Sequence, residues 1–226
     1  PVDVGNAMVD PDTVKKVRLV PETRVVDLGR AEAMVEMLMQ AERPIIIAGS
    51  GAYYSEAGGE LVNFIEKTGA PIFTATQGRG VVPDTHPLCF ESSLMIRPGC
   101  AGFANMNADL IVLLGNRISL YYGCGDFLCA DAKYIQVDIE PEEIGRNHFV
   151  DLPIVSDVRY ALEELNKIVE GNEEVADWFE QCCAWKRDNP FKFEKDFDGI
   201  LPQYAIDVAS RLTAHRDTII SVGVGQ

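Results

Sequence analysis

Two glycines and one arginine stand directly after apolar runs of the sequence, where they could bind a phosphorylated ligand. Gly49-Ser50-Gly51 follows one run and Arg117 follows another. Glycine lets the backbone approach a phosphate closely, and arginine can pair with a diphosphate through two parallel hydrogen bonds. Both features also have a purely structural interpretation: a tight turn between a strand and a helix, and a surface ion pair.

Two carboxylates occupy comparable positions further along the chain. Asp138 ends the run Tyr134–Asp138 and could accept hydrogen bonds from both hydroxyls of a ribose. The alternative is a helix cap, since Pro141 suits a first helical turn. Glu140 is the better-placed cap, which would release Asp138 for a ligand. Asp157 is typical of a plain N-cap, although its side chain could also reach an adenine amine.

Other kinds of active site are disfavoured by the residues present. Tyr54 stands where a dinucleotide-binding fingerprint has its third glycine, so a standard nicotinamide site is not expected. His86 lies in a proline-flanked loop without an evident catalytic partner, and we interpret it as structural. The sequence contains no Gly-x-Ser-x-Gly elbow, so it does not indicate a hydrolase triad. The spacing of the six cysteines and three histidines predicts reduced thiols and no metal site.

Strand-like and helix-like patterns alternate along the chain and would position these residues. Apolar residues recur with helical spacing from Ala31 to Met39 and from Val158 to Val169, and Ser55 could cap a further helix that stops at Gly69. Five runs have the length of strands: Ile45–Ala48 and Leu110–Leu114, which are apolar throughout, as in strands buried on both faces, and Pro71–Thr74, Tyr134–Asp138 and Pro153–Val155.

This alternation predicts an α/β fold with a doubly wound, mostly parallel, six-stranded sheet, that is, a Rossmann-like nucleotide-binding fold. Thr218–Val222 is the sixth strand-like run. Such sheets bind ligands at the carboxyl ends of their strands. We therefore expect Gly49–Gly51, Arg117, Asp138 and Asp157 to converge at one rim, with an adenine-containing nucleotide as the ligand.

Composition limits the classes of partner. Lys and Arg number 20 against 35 Asp and Glu, a formal net charge of −15, so neither a nucleic acid nor an anionic membrane surface is expected as a partner. Hydrophobic residues make up 47% of the chain, enough for a substantial core. No apolar run approaches the about 18 residues of a membrane span, and the first residues do not form a signal peptide. We expect a cytoplasmic location.

Five phrases, in this order, resemble the central domain of thiamine-diphosphate-dependent enzymes of the acetolactate synthase, oxalyl-CoA decarboxylase and 2-hydroxyacyl-CoA lyase type. They are ERPIIIAGSG at 42–51, TGAPI at 68–72, GVVPDTHP at 80–87, ADLIVLLGNR at 108–117 and YIQVDIEPEEIGRN at 134–147. The resemblance implies part of a carbon–carbon lyase or ligase (a transferase or lyase) that acts on 2-oxo acids and is acetolactate-synthase-like. The alternatives are an acyl-CoA decarboxylase or lyase with an ADP-binding central domain, and a non-catalytic nucleotide-binding subunit.

The resemblance also implies a division of the chain. Residues 1–27 would be a linker from a missing pyrimidine-binding domain, 28–170 the central domain, 171–200 a connector, and 201–226 the start of a truncated diphosphate-binding domain. In that family the activating glutamate and the metal motif lie in the flanking domains. We therefore expect no catalytic residue and no metal ligand here, an inactive fragment, and a parent homo-oligomer that binds a small-molecule substrate through the missing domains.

Thiamine diphosphate and Mg²⁺ are the cofactors implied for the parent protein, with ADP or FAD in the central domain. The implied cofactor-binding residues are Gly49, Ser50 and Gly51 beside the diphosphate, Arg117 in contact with it, Asp138 and Ile139 at the ribose, Asp157 and Val158 at the adenine, and Val224, Gly225 and Gln226 at thiamine diphosphate.

Two departures from the acetolactate synthase pattern bear on the choice of nucleotide. Ile118–Tyr121 replaces a Phe-Asp-Asp-Arg stretch, and Arg97–Cys100 replaces a Gly-Met-His-Gly loop that touches the flavin there. Flavin binding is therefore disfavoured. The stretch Gly115–Ile118 is closer to the acyl-CoA branch, in which ADP is bound.

Overall fold

The computed structural model describes Met8, Asp10 and residues 25–93, 99–190, 192–193 and 198–221. Within these ranges six strands form one sheet with helices on both faces. The strands are β1 Pro44–Ala48, β2 Ile72–Thr74, β3 Cys89–Ser92, β4 Leu110–Leu114, β5 Lys133–Asp138 and β6 Leu152–Val155. The helices are α1 Leu28–Gln40, α2 Ser50–Tyr54, α3 Gly58–Thr68, α4 Cys100–Asn107, α5 Val158–Ile168, α6 Ala176–Asp188 and α7 Pro202–Thr213.

The sheet is parallel throughout, in the order β3-β2-β1-β4-β5-β6. β4 lies between β1 and β5, with Val112 opposite Ile46 on one side and Ile135 on the other. The predicted doubly wound parallel sheet is confirmed, including the interior position of Leu110–Leu114. The strand order reverses between β1 and β4, because β2 and β3 extend the sheet to one side and β5 and β6 to the other.

Two layers of core explain why the strands are continuously apolar. In β1, Ile46 and Ala48 face one cluster of buried residues, whereas Ile45 and Ile47 face the other. Because successive side chains of a strand point to opposite faces, a strand covered on both sides needs an apolar residue at every position. Helices α1, α3 and α5 cover the first face, and α4 and α6 cover the second.

Helix ends follow local chemistry with one exception. The Asp157 side chain caps α5, as predicted, and Gly69 ends α3 with φ of 69°. The prediction that Ser55 caps the following helix is wrong. Ser55 instead closes the short helix α2 and donates its hydroxyl to Ala52 O at 3.2 Å, and α3 begins three residues later, at Gly58, with Ala57 as its N-cap.

The sixth strand is not the predicted one. Cys89–Ser92 pairs with β2 at the edge of the sheet, whereas residues 218–221 of the expected strand Thr218–Val222 form no strand, and Val222 lies outside the described residues. Ile219 is 97% exposed, so the run contacts no neighbouring strand. A β-branched run forms a strand only where another strand can supply its hydrogen bonds.

One helix of the structure was not predicted from the sequence, and one possible helix start is absent. Cys100–Asn107 is a helix whose buried positions are small, Cys100, Ala101 and Ala104, so it lacks the large apolar stripe that marks α1 and α5. The residues after Glu140 form turns, so no helix begins at Pro141. Among the described helices none is long and apolar enough to cross a membrane.

Candidate functional site

The point at which the strand order reverses places the loops after β1 and β4 side by side. Both loops begin with glycine, at Gly49 and Gly115. In doubly wound sheets this reversal opens the crevice in which ligands bind, outside the carboxyl ends of the strands. The residues predicted from sequence to bind a nucleotide all follow strands at this end of the sheet.

Gly49, Gly51 and Gly115 bring the two loops into direct backbone contact, and we call these three residues the glycine crossing. The Gly49 N–H donates to Leu114 O at 2.9 Å and the Gly51 N–H to Gly115 O at 3.0 Å. A Cβ on Gly49 would lie 2.3 Å from Gly115 O, and one on Gly51 would lie 2.6 Å from Gly115 Cα. These two amides serve the fold, as the structural interpretation of the motif proposes.

A cleft of about 480 Å³ opens beside the glycine crossing. It is lined by Ser50, Gly51, Tyr54, Ser55, Gly115, Arg117, Asp138, Ile139, Glu140, Glu143 and Asp157. The structure thus brings six of the predicted residues to one cavity: Ser50, Gly51, Arg117, Asp138, Ile139 and Asp157. Their role towards a ligand stays a prediction.

The remaining predicted residues lie elsewhere. Gly49 does not line the cleft and sits behind it in the crossing. The Val158 side chain is buried in the core at the start of α5 and does not line the cleft. Val224, Gly225 and Gln226, predicted at thiamine diphosphate, lie outside the described residues, as does the loop segment 94–98.

Asp138 is a buried carboxylate at the end of β5, with a side chain that accepts the Glu140 N–H at 2.9 Å through Oδ1. The prediction that Glu140 caps a helix and so releases Asp138 is wrong, because no helix begins at Pro141 and one oxygen of Asp138 is used in this turn. Burial raises the pKa of Asp138 above its ordinary value, the Glu140 amide lowers it, and the nearby Glu143 raises it. The charged form is thus costly and gains from a donor in the cleft.

Asp157 performs the structural role that its position suggests and still lines the cleft. Its Oδ1 accepts the backbone N–H groups of Arg159 at 2.9 Å and Tyr160 at 3.4 Å. Both contacts use the same oxygen. The carboxylate is held in place by the first turn of α5 while it borders the cavity.

Arg117 projects from the loop after β4 and is 63% exposed. Its Nη1 lies 3.7 Å from Glu143 Oε1, which also accepts from Arg146 Nη1 at 2.8 Å. A pair this long and exposed contributes little to stability, so Arg117 is available to another anion. The cleft lining carries four carboxylates and this one guanidinium, which favours a ligand whose negative charge is partly neutralised over a free polyanion.

Gln136 organises this rim, and sequence analysis missed it. It is buried in β5, donates through Nε2 to Asn116 O at 3.4 Å and Glu143 O at 3.3 Å, and accepts the Gly145 N–H at 3.0 Å. One amide therefore ties the loop after β4 to the loop after β5. An amide inside an otherwise apolar strand was the available signal, since a buried polar group needs partners.

His86 lies away from the cleft. Its Nδ1 accepts the Leu88 N–H at 3.2 Å, and its Nε2 lies 3.4 Å from Glu66 Oε1 on α3. The ring thereby connects the loop before β3 to a helix, which agrees with the structural interpretation. All six cysteines are free thiols, and within the described ranges no group of three His, Cys, Asp or Glu side chains could hold a metal ion.

Comparison with protein families gives a match over residues 31–165 to the family "Thiamine pyrophosphate enzyme, central domain". Acetolactate synthase 1, chloroplastic, from Zea mays is 33% identical over 201 residues, covering 86% of this chain and 31% of the relative. Acetolactate synthase 2, chloroplastic, from Nicotiana tabacum is 30% identical over 236 residues, covering 100% of this chain and 35% of the relative. The chain spans about a third of the length of these curated relatives.

A solved structure shares the fold. The benzoylformate decarboxylase from Polynucleobacter necessarius superposes with a TM-score of 0.66 over 93% of this chain and 38% of that one, at 22% sequence identity. At this identity the likeness establishes the architecture alone. The strand order and the flanking helices are therefore shared with a longer protein in which the corresponding part is one region among several.

Proposed function

This chain belongs to the thiamine pyrophosphate enzymes, as a central domain, and on that premise we propose what the whole protein and the cleft do. The whole protein is a thiamine-diphosphate-dependent and Mg²⁺-dependent enzyme that makes or breaks carbon–carbon bonds of 2-oxo acids, as an acetolactate synthase does. The cleft beside the glycine crossing binds an adenine nucleotide, ADP or the ADP part of FAD.

The observation that carries the nucleotide proposal is convergence. Arg117, Asp138 and Asp157 follow three different strands and are far apart in sequence, yet they line one cleft with Ser50 and Gly51. These groups complement an ADP moiety: the guanidinium can pair with the diphosphate, one carboxylate can accept the ribose hydroxyls, and the other can accept the adenine amine.

Each residue has a definite task in this proposal. Arg117 leaves its long contact with Glu143 and pairs with the diphosphate, while Arg146 keeps Glu143 neutralised at 2.8 Å. Asp138 accepts ribose hydroxyls through the oxygen that the Glu140 amide does not use, and Ile139 packs against the sugar. Asp157 accepts the adenine amine. Because four carboxylates line the cleft, the Mg²⁺ complex of the nucleotide should bind better than the free anion.

The chemistry of the cofactor lies outside the described residues. Thiamine diphosphate supplies an electron sink for the carbanion when bound, and the residues proposed to contact it, Val224–Gln226, are not described. We place the division of the chain at a linker in 1–27, the central domain in 28–170, a connector in 171–200 and the start of a diphosphate-binding domain in 201–226. A homo-oligomer in the cytoplasm is the state that we propose for the whole protein.

Calorimetric titration tests the nucleotide site. ADP, FAD and NAD are titrated separately into the chain, each with and without Mg²⁺, and we expect ADP to bind. Binding of FAD with the affinity of ADP or better would identify a flavin-type ligand. Absence of any heat with all three nucleotides would contradict a nucleotide site and leave the cleft residues with structural roles.

Turnover by the whole protein tests the reaction. With thiamine diphosphate, Mg²⁺ and pyruvate, we expect acetolactate to form, whereas the 226-residue chain alone should give no turnover. Cleavage of oxalyl-CoA or a 2-hydroxyacyl-CoA in place of pyruvate would assign the protein to the acyl-CoA branch. A whole protein that binds ADP but acts on none of these substrates would be a non-catalytic subunit.

A further inference from the structure

Tyr54 is a large aromatic side chain that stands exposed on the wall of the nucleotide cleft. It is the last residue of α2 and lines the cleft with Gly51, Ser55 and Asp157. Its exposed fraction is 76%, among the highest of the large apolar and aromatic residues described. An exposed ring at a cavity that also holds proposed ligand-binding groups needs an explanation other than core packing.

The position of Tyr54 explains why its ring is free to face the cleft. In a dinucleotide fingerprint the third glycine occupies this place and lets a long helix pack closely on its strand. Here α2 ends at Tyr54 after five residues, and the chain turns at Ser55 before α3 begins. The side chain is therefore not forced against the sheet, and a ring is tolerated where the fingerprint requires glycine.

A neighbouring ring orders Tyr54. The Tyr53 and Tyr54 rings meet edge to face, with centroids 5.6 Å apart and planes at 87°. Such a contact favours one orientation, and a tyrosine has only two side-chain torsions to restrict on binding. Tyr54 is also the only aromatic residue among the described residues that line the cleft.

We propose that Tyr54 is the stacking platform for the base of the nucleotide, an inference that rests on the proposed nucleotide site. Helix α2 contacts α5, whose N-cap is Asp157, and Tyr54 and Asp157, the proposed acceptor for the adenine amine, line the same cleft. Stacking on a ring face is tolerant of base identity. Tyr54 therefore supplies affinity for a planar base, and Asp157 supplies the preference for an amine.

Calorimetry with ADP on three variants of the chain tests this role. Because base stacking on an aromatic side chain is worth on the order of 1–3 kcal/mol, Tyr54→Ala should weaken ADP binding about tenfold. Tyr54→Phe should bind within about twofold of the parent chain, since the ring and not the hydroxyl makes the contact. Phe149→Ala is the matched control, because Phe149 is 75% exposed and does not line the cleft.

A spectroscopic signature separates stacking from an indirect effect on the fold. The adenine absorption band should weaken when ADP binds the parent chain and Tyr54→Phe, and the residual binding to Tyr54→Ala should lack this hypochromism. ADP binding that Tyr54→Ala leaves unchanged would overturn the stacking role while the nucleotide site stands. Equal losses in Tyr54→Ala and Phe149→Ala would overturn it as well. A parent chain that binds no ADP would overturn both proposals.

Discussion

The carboxyl edge of the sheet is built differently on its two sides. After β1 and β4, the glycine crossing brings backbone against backbone, with a Gly51 N–H to Gly115 O distance of 3.0 Å. After β5 and β6, acidic side chains line the cleft instead, and we call Asp138, Glu143 and Asp157 the carboxylate side. Both sides follow parallel strands of one sheet, but the two loops of the first are joined by backbone hydrogen bonds, whereas the second presents charged side chains to the cleft.

This difference shows that a glycine-rich turn after a strand is not by itself a phosphate site. Glycine permits close approach of any group to the backbone, and here the approaching group is another loop of the same chain. The cleft lies next to the crossing and is lined by the carboxylates of Asp138 and Asp157, each of which accepts a backbone N–H two residues further along the chain. The crossing then acts as the floor of the cleft and the carboxylate side as its wall.

Breaking the glycine crossing should have the largest effect. Gly115 has φ of 57°, and a Cβ there would lie 2.5 Å from Gly51 Cα. Gly115→Ala would therefore force alanine into the left-handed region of φ and also bring its Cβ into a clash with the backbone of Gly51. We expect the free energy of unfolding to fall by roughly 2–4 kcal/mol, measured by chemical denaturation. Gly102→Ala in α4 is the control, because a Cβ there meets nothing within 4 Å. It should be neutral or stabilising by up to about 1 kcal/mol, and equal losses would contradict the crossing's role.

Removing the guanidinium between the two sides should come next. Arg117→Ala should weaken ADP binding by roughly 1.5–3 kcal/mol, about tenfold to a hundredfold, because charge-assisted hydrogen bonds to the diphosphate are lost. Calorimetry measures the change. Arg187→Ala is the matched control, because Arg187 is 72% exposed, has an equally long ion pair of 3.7 Å with Asp188 and does not line the cleft. A similar loss with both variants would indicate a general charge effect in place of a direct contact.

Asp157 offers a sharper test, because it combines a structural and a proposed ligand role. Asp157→Ala removes an N-cap and should cost about 1 kcal/mol of unfolding free energy, and it should also weaken ADP binding. Asp27→Ala removes the N-cap of α1, where Oδ1 accepts the Arg30 N–H at 3.1 Å, and Asp27 does not line the cleft. We expect a similar stability loss from Asp27→Ala and unchanged ADP affinity. Weaker ADP binding by Asp27→Ala would mean that the affinity loss follows from stability alone.

The smallest effect is expected from the charge of Asp138. Because burial raises its pKa above the ordinary value of 3.8, the folded chain binds more protons than the unfolded chain in the window just above that value. Stability should therefore fall as pH rises from the ordinary pKa through the raised one, and stay level above it. In Asp138→Asn this loss disappears because the amide does not titrate, while its oxygen can still accept the Glu140 N–H.

Thermal unfolding of both chains across the acid range measures this dependence. Asp138→Asn should be the more stable chain at neutral pH, and the difference should vanish below the ordinary pKa. A parent chain that gains stability over the variant as pH rises would contradict the desolvated state of this carboxylate. ADP affinity of the variant should fall less than that of Arg117→Ala, because an amide oxygen still accepts one ribose hydroxyl.

The architecture and the location of the candidate site could both be predicted from sequence patterns alone. Continuous apolar runs such as Leu110–Leu114 require cover on both faces, which only a parallel sheet between helix layers supplies. That topology brings strand ends to one rim, so the convergence of Arg117, Asp138 and Asp157 followed from their positions after strands. The cap at Asp157 was equally predictable, because capping depends on a few consecutive residues.

Strand formation and loop contacts that need a partner distant in sequence could be seen only in the tertiary structure. Cys89–Ser92 forms a strand because it pairs with the edge of β2. Residues 218–221 have a stronger β-branched pattern but form no strand, because no neighbouring strand pairs with them. Local patterns do not encode the contacts of the glycine crossing or the link that Gln136 makes between two loops. They also do not show that Tyr54 lines the cleft. Local sequence sets which face of an element is apolar, but the distance between two loops is set by the packing of the whole sheet.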